Sequence, residues 1–413
     1  MLNRKKKPNT PFLPVFSPYL AAVTQPDFYI TVVKNVSPFI TLCISQHTFK
    51  FNSPPGFDDI LADMLPKSRV LKGKRTLAAH VEHYGARLGV HVFQGGISIE
   101  LLVRPDDLPD LLGPLVSTLR NPDFTQADLE STKKEFKARL LQEKELPRLL
   151  AKKNLWGNIF GHEHPYGRQT KLAEVDLIMA DLLRHYCVQV WQTPNLFISG
   201  PVSTAILKQI EKNFPVPSPL LDRSIPLLGP GLAEQTIPKP SIAQAFIAMG
   251  HLTIGFQHPD SVALYITNKL LGGFFGARLM CNIREKKGYT YDIRSVITPC
   301  QEHAVWFLAT SVKKTSAEAT LEAIQVEIKD LQQRLVSIKE LELLKNYLIG
   351  NLLADFDDPL TFGDRLHFAT LHGMDIAFYD RLYEGIQTIT PPIIQRIAQQ
   401  YLGAPTCHRV IVQ

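Results

Sequence analysis

Residues Leu270 to Ile293 read LLGGFFGARLMCNIREKKGYTYDI, and this stretch decides how the rest of the chain is understood. Gly272 and Gly273 allow a tight backbone turn, and the spacing after them predicts a helix over Phe275 to Lys287. Gly288 ends that helix, and the alternation of Tyr289, Tyr291 and Ile293 with smaller or polar residues marks the start of a strand. Arg284 thus falls near the end of a helix and Tyr291 on the adjoining strand, where a guanidinium and a phenol can converge on a peptide carbonyl. The residues taken alone favour a surface helix cap, with Arg284 solvated and Tyr291 in the core.

The order Gly-Gly-Phe, Arg-Leu, Asn-Ile-Arg-Glu-Lys-Lys-Gly and an aromatic strand resembles the C-terminal half of the pitrilysin/insulinase family of inverted zinc metallopeptidases. The resemblance implies that Arg284 and Tyr291 bind the substrate backbone near the scissile bond. It is strongest from Leu270 to Tyr291, weaker at Gly161 to Thr170, and also legible at Gly56 to Leu65.

Composition agrees with a globular protein of more than one domain. The chain has 413 residues, 45% hydrophobic, 9% aromatic and 20% charged, enough to bury a large core and too long for one ordinary domain. The formal charge is +6, and four of the cations are Arg4 to Lys7 at the start. No motif with interleaved aromatics points to nucleic acid. No run reaches the roughly 20 apolar residues of a membrane helix, and the prolines after Lys7 interrupt any signal-like segment, so a cytoplasmic chain is expected. Cys43, Cys187, Cys281, Cys300 and Cys407 are scattered and lack a CxxC pair, which fits a reducing compartment and argues against a thiolate metal site.

In chain order, strands are expected at Phe28 to Val33 and Phe39 to Ser45, a helix from about Asp58 after the Pro54-Pro55-Gly56 turn, and another from Thr76 to Tyr84. Val90 to Phe93 and Ile97 to Val103 read as a hairpin around Gly95-Gly96. Helices follow at Asp106 to Leu119 and Gln126 to Lys144, with a break at Pro147, then helical periodicity over Leu172 to Val190, a strand at Leu196 to Gly200 and a helix at Ser203 to Asn213. Residues 215–240 are rich in Pro and Gly and read as a linker. Beyond it the pattern restarts: a strand at Ala243 to Leu252, a helix at Asp260 to Leu271, a strand at Ala304 to Ser311, helices at Ser316 to Leu335, Ile338 to Asp355 and Ile393 to Leu402, and a strand at Arg409 to Val412. Segregated strands and helices make this an α+β chain. The expected architecture is two similar domains, 1–214 and 241–413, each a mostly antiparallel sheet flanked by helices; the resemblance implies that they face each other across a chamber.

The resemblance also decides the chemistry. Inverted zincins carry His-x-x-Glu-His on a helix, two His for zinc and a Glu to activate water. Here the matching positions are Asp59, Ala62 and Asp63, and the further acidic ligand falls roughly at Arg139, with Glu135 and Glu143 one turn to either side. Zinc favours imidazole and thiolate, and a cation at Arg139 opposes a metal ion. The chain is therefore expected to bind no cofactor and not to hydrolyse peptides by itself.

Two other histidine groups stand out. His80-Val81-Glu82-His83 is one residue short of the zincin spacing and reads as an exposed helix face. His162-Glu163-His164 lies in a His-Pro-Tyr-Gly segment whose role in the family is loop structure. Neither a phosphate-binding nor a serine-hydrolase signature is present.

The resemblance then implies an accessory subunit: a similarly sized homologue would carry His-x-x-Glu-His and zinc, and this chain would supply Arg284 and Tyr291 for a peptide substrate. The alternative is a degenerate member acting as a structural or peptide-binding protein without a proteolytic role. A third and weaker reading is an unusual metal site built from Asp59, Asp63 and Glu143.

Overall fold

Local chemistry sets many of the element boundaries. Thr76, Thr125, Ser203, Ser337 and Asp358 each accept, through the side chain, the N–H of the residue three positions on, which satisfies one of the four unbonded amides at a helix start. Pro147 and Pro359 occupy the first turn of helices, where the missing N–H costs nothing, and each splits a long helical stretch in two.

The computed structural model describes residues 30–34, 36–51, 54–70, 72–214, 231–374, 377–403 and 407–413. The first half contains β1 (Ile30–Lys34), β2 (Ile40–His47), α1 (Phe57–Met64), a small ribbon of β3 (Arg69–Val70) and β4 (Arg75–Thr76), α2 (Leu77–His83), β5 (Arg87–Phe93), β6 (Gly96–Val103), α3 (Leu108–Arg120), α4 (Gln126–Glu145), α5 (Pro147–Phe160), α6 (Leu172–Asp176), α7 (Ala180–Val190), β7 (Asn195–Gly200) and α8 (Thr204–Asn213). The second half contains β8 (Glu234–Ile237), β9 (Gln244–Ile254), α9 (Ser261–Gly272), a π-helical segment (Met280–Lys286), β10 (Thr290–Cys300), β11 (His303–Lys313), α10 (Ala317–Gln333), α11 (Ile338–Asp357), α12 (Pro359–Leu371), α13 (Phe378–Thr388), α14 (Pro391–Tyr401) and β12 (His408–Val412).

The halves repeat one topology. The first sheet runs β1-β7-β2-β6-β5 and the second, read from its far edge, β8-β12-β9-β11-β10. In both, the outermost pair β1·β7 or β8·β12 is parallel and the remaining pairs are antiparallel. The α+β class with mostly antiparallel sheets is thus observed.

Each sheet is buried on both faces, and each half supplies the cover for one face of the other. Leu196 and Ile198 of β7 point into the core beneath α1, α3 and α7, whereas Phe197 between them, with Cys43 of β2, packs with Phe362 and Leu366 of α12. In β9, Ala245, Ile247 and Met249 face the core of the second half, while Phe246 and Ala248 meet Ala151, Leu155 and Ile159 of α5. Burying each such large side chain is worth about 1.5–3 kcal/mol, so the reciprocal helices bind the halves into one packed body. The approach is close: a Cβ at Gly250 would lie 2.8 Å from the Trp306 carbonyl oxygen and against Leu155, and one at Gly363 would lie 2.7 Å from Ser199 Oγ.

Several expectations change. The stretch 172–190 is two helices broken at residues 177–179. The linker expected over 215–240 falls partly outside the described residues (215–230), and its remainder includes β8, a strand stabilised by pairing with β12 rather than by local sequence. The basic run Arg4–Lys7 lies outside the described residues. Helices α12 and α13 have no counterpart in the sequence reading; α12 is covered on two sides, which blurs its apolar stripe. The helix expected over Phe275 to Lys287 is shorter, with residues 274–277 in a turn and π-helical geometry from Met280. Gly272 and Gly273 serve close packing more than turning: Gly273 has a right-handed φ of −97°, and a Cβ at Gly272 would meet Leu279 and Ser295 at 2.8 Å. Gly288 does end the helix, at φ +64°. All five cysteines are free thiols, and no described helix is long and apolar enough to cross a membrane.

Candidate functional site

Helix α1 follows the Pro54-Pro55-Gly56 turn, with Gly56 at φ +85°. A Cβ there would meet Thr170 at 2.9 Å and Phe136 at 3.1 Å, so only glycine brings the helix this close to α4. Its apolar residues, Phe57, Ile60, Leu61 and Met64, anchor it in the core, and its acidic residues face α4 and α7. Asp58 accepts hydrogen bonds from Thr48 Oγ1 at 2.6 Å and Tyr186 Oη at 2.5 Å; burial raises its pKa, which those two donors and Arg168 oppose. Tyr186 is 128 positions from Asp58, and no motif pointed to it or to Thr48.

The positions that the resemblance matches to metal ligands hold a different arrangement. Arg139 donates from its guanidinium to Asp63 Oδ2 at 3.0 Å and stacks over the Phe136 ring, 4.9 Å from its centroid. Lys153 donates to Glu143. Two of the three carboxylates of the alternative metal site, Asp63 and Glu143, are thus neutralised by their own cations, and Arg139 puts positive charge beside Asp63. Asp59 has no ion pair among the described residues; burial pushes its carboxyl up to about 6, with Asp58 and Asp63 adding to the rise and Arg139 and Lys153 opposing it. Among the described residues, no group of three or more His, Cys, Asp or Glu side chains is arranged to hold a metal ion. This donor set does not fit zinc, which binds through neutral imidazole or thiolate with its charge uncompensated by a nearby cation.

A cavity of about 620 Å³ opens beside these residues. Asp58 and Asp59 of α1, Glu143 of α4, Lys152 and Lys153 of α5, and Arg168 contribute its charge, while Phe93, Trp156 and Tyr166 contribute aromatic wall. Thr298 of β10 reaches it from the second half. Ala62, which the resemblance matches to the general base, is a buried methyl and does not line this cavity.

Arg284 and Tyr291 sit elsewhere. Arg284, half-buried in the π-helical segment, lies over the exposed Phe275 ring at 4.7 Å. That segment is fixed to the long helices by Arg278, which makes a bidentate pair with Glu340 at 2.7 and 3.0 Å and a third bond to Asp330 at 2.8 Å, and by Asn282 donating to Glu327 at 2.6 Å. Tyr291 is 86% exposed, which overturns its placement in a core. The cause is a β-bulge: β10 fits Tyr291 and Asp292 opposite the single residue Ser311. Bulges re-aim side chains. This one is pinned by Thr290 and Thr310, whose hydroxyls both donate to the Asp292 carbonyl, at 3.0 and 2.9 Å.

No hydrogen bond joins Arg284 to Tyr291 among the described residues, and neither lines the cavity at α1. Thr298, which does, is seven residues along β10 from Tyr291, about 23 Å at the usual strand rise. Phe275, Thr290 and Thr310 complete the local structure; the aromatic at 275 was visible in the sequence, but the bulge was not.

The other histidine groups resolve individually. His80 is 5% exposed, with its ring against Tyr84, so His80-Val81-Glu82-His83 is only in part an exposed face; α2 turns His83 outward and His80 inward. Burial lowers the His80 pKa. His164 is buried, stacks on Phe160 and accepts the Tyr166 N–H at 3.1 Å through Nδ1, a loop-forming role.

Residues 192–348 match the family model described as the peptidase M16 inactive domain. The chain is 24% identical over 181 residues to an uncharacterized zinc protease, YmxG, of Bacillus subtilis, which covers 43% of this chain and 44% of that protein. It is 25% identical over 267 residues to the non-peptidase homolog YmxG of Helicobacter pylori, covering 62% and 60%. The chain thus aligns with roughly half the length of these curated relatives. Among solved structures, a peptidase M16 inactive domain from Pseudomonas fluorescens superimposes with a TM-score of 0.83 at 21% identity, over 93% of this chain and 95% of that one. A protease from Helicobacter pylori superimposes with a TM-score of 0.81 at 14% identity, over 93% and 96%.

Proposed function

We propose, from the premise that this chain is a non-catalytic member of the pitrilysin-like (M16) family, that it is the substrate-binding subunit of a heterodimeric zinc metallopeptidase. In this reading, a partner of similar size carries His-x-x-Glu-His and the zinc, and this chain supplies Arg284 and Tyr291 to the partner's active site. The observation that carries it is the exposed Tyr291, thrown outward by a pinned bulge on an edge strand, beside an Arg284 that rests on an exposed ring and makes no ion pair among the described residues. Two buried threonines hold the bulge, and among the described residues the Tyr291 hydroxyl makes no hydrogen bond. The pair also lies well away from the emptied cleft at α1, as a residue acting on another subunit's site would.

In the assembled site, the guanidinium would donate to a substrate carbonyl and the phenol to the oxyanion that forms on attack. Removing one such donor costs about 10²–10³-fold in kcat. The test pairs this chain with its His-x-x-Glu-His homologue from the same source, with zinc quantified in each chain. Peptide hydrolysis by the mixture alone, lowered about 100-fold by Arg284→Ala, supports the reading; unchanged activity in that variant, or zinc and activity in this chain alone, refutes it. The second reading, a degenerate member that binds peptide or builds structure without proteolysis, is favoured by the similarity to a relative named as a non-peptidase homolog; it predicts a mixture whose activity does not depend on Arg284.

A further inference from the structure

The internal repeat creates a second cleft. The cavity at α1 is walled by α1, β5, α4 and α5; the corresponding elements of the second half, α9, β10, α11 and α12, enclose a cavity of about 480 Å³ with α13 closing one side. This one is chemically different. Its walls are rich in aromatic rings, among them Tyr265, Tyr347, Phe368, Phe378 and Tyr379. Its charges are three: Lys269, Arg365 and Asp355.

Arg365 is already engaged, donating to Asp355 at 2.9 Å, so the cavity is left with a single uncompensated positive charge. Lys269 forms neither an ion pair nor a hydrogen bond among the described residues; its ammonium lies over the Tyr265 ring, 5.1 Å from the centroid. Its stem is laid in that direction by Gly273, where a Cβ would come within 2.4 Å of Lys269 Cδ. The hydroxyls of Tyr265 and Tyr347 likewise make no hydrogen bond within the described chain, whereas that of Tyr379 is used, donating to the Arg365 carbonyl at 2.9 Å. Burial holds the Lys269 pKa below the ordinary lysine value, as expected of an ammonium that is desolvated and not repaid by a counter-ion.

We propose that this cavity is a binding site for a small aromatic monocarboxylate, which places its carboxylate on Lys269 and the Tyr265 and Tyr347 hydroxyls and its ring among the aromatic side chains. The volume falls in the range of small-molecule sites, which are mostly apolar with a few convergent polar groups. A net charge of +1 matches one carboxylate; a phosphate dianion would need further cations or a row of backbone N–H groups. The site is independent of the subunit role proposed above, since it involves neither Arg284 nor Tyr291.

Titration calorimetry of the full chain with 4-phenylbutanoate tests it, alongside 4-phenylbutanamide and the peptide acetyl-Ala-Ala-Phe, which separates a free acid from a peptide C-terminus. Binding of either carboxylate, weakened about tenfold or more by Lys269→Met, largely kept by Lys269→Arg and not shared by the amide, is expected. Equal binding to Lys269→Met, equal binding of acid and amide, or no heat with either carboxylate overturns the proposal. Should Lys269→Met fail to fold, the acid–amide comparison on the unaltered chain decides.

Discussion

Asp59→Asn provides a direct probe of how the emptied cleft is held. Asp59, which the resemblance matches to a zinc ligand, is half-buried, with the Arg139 guanidinium committed to Asp63. Burial raises its pKa from 3.8 to about 6, so the folded protein binds the proton more tightly than the unfolded chain does. Between pH 3.8 and 6 the native state therefore carries more protons, and stability falls as pH rises through this window. Below it Asp59 is neutral in both states and contributes nothing; above it the full cost of the buried charge is present. Each pKa unit is worth about 1.4 kcal/mol, so a rise of a little over two units corresponds to a cost of about 3 kcal/mol at pH 8. Asparagine removes the charge at nearly constant volume. It also forgoes a favourable interaction with the α1 dipole, about 0.5 kcal/mol for a carboxylate in the first turn, which reduces the gain without reversing it. Urea unfolding of both proteins from pH 3.5 to 8 should give curves that coincide at the acid end and separate to about 2–3 kcal/mol in favour of Asp59→Asn at pH 8. A constant difference across pH, or a variant less stable at pH 8, would show that Asp59 has a charge partner and that the electrostatic account of the cleft is wrong. Addition of zinc sharpens the test, because a bound metal would favour the ionised carboxylate and make the substitution destabilising at pH 8.

Two further substitutions probe the Arg284–Tyr291 region. Arg278, 12% exposed at its side chain, holds the π-helical segment to Glu340 and Asp330; Arg278→Lys keeps the charge but loses the fork, and is expected to cost about 1–3 kcal/mol in chemical denaturation, with Arg278→Ala costing more because Glu340 is left without this cation and Asp330 keeps only Arg334. Thr310→Val removes a buried hydroxyl that bonds to Thr290 and to the Asp292 carbonyl, and should cost about 1–3 kcal/mol; in the assembled pair it should also lower peptide hydrolysis, by loosening the bulge that aims Tyr291, whereas a remote substitution of equal stability cost should not.

What the sequence made legible follows where the forces are local. The Thr125 cap, Gly288 and the Pro-Pro-Gly turn act over a few residues, and the elements they bound lie close to where the sequence places them. The departure from His-x-x-Glu-His was legible for the same reason, since Asp59, Ala62 and Asp63 share one helix. What replaced it was not: Arg139 reaches Asp63 across 76 positions, and Tyr186 reaches Asp58 across 128, distances over which only the folded packing decides partners. The same limit explains β8, which exists by pairing with β12, and α12, whose stripe is obscured because it contacts β7 of the first half as well as α11. Tyr291 is the instructive case. Period-2 alternation from Tyr289 predicts that 289, 291 and 293 share a face, yet Ile293 is fully buried and Tyr291 almost fully exposed. One extra residue in the bulge breaks the period, and the hydroxyls that fix it come from Thr290 beside it and Thr310 on the neighbouring strand. A local pattern therefore gave Tyr291 the wrong environment, because a bulge set by the folded sheet leaves its phenol exposed on a strand edge.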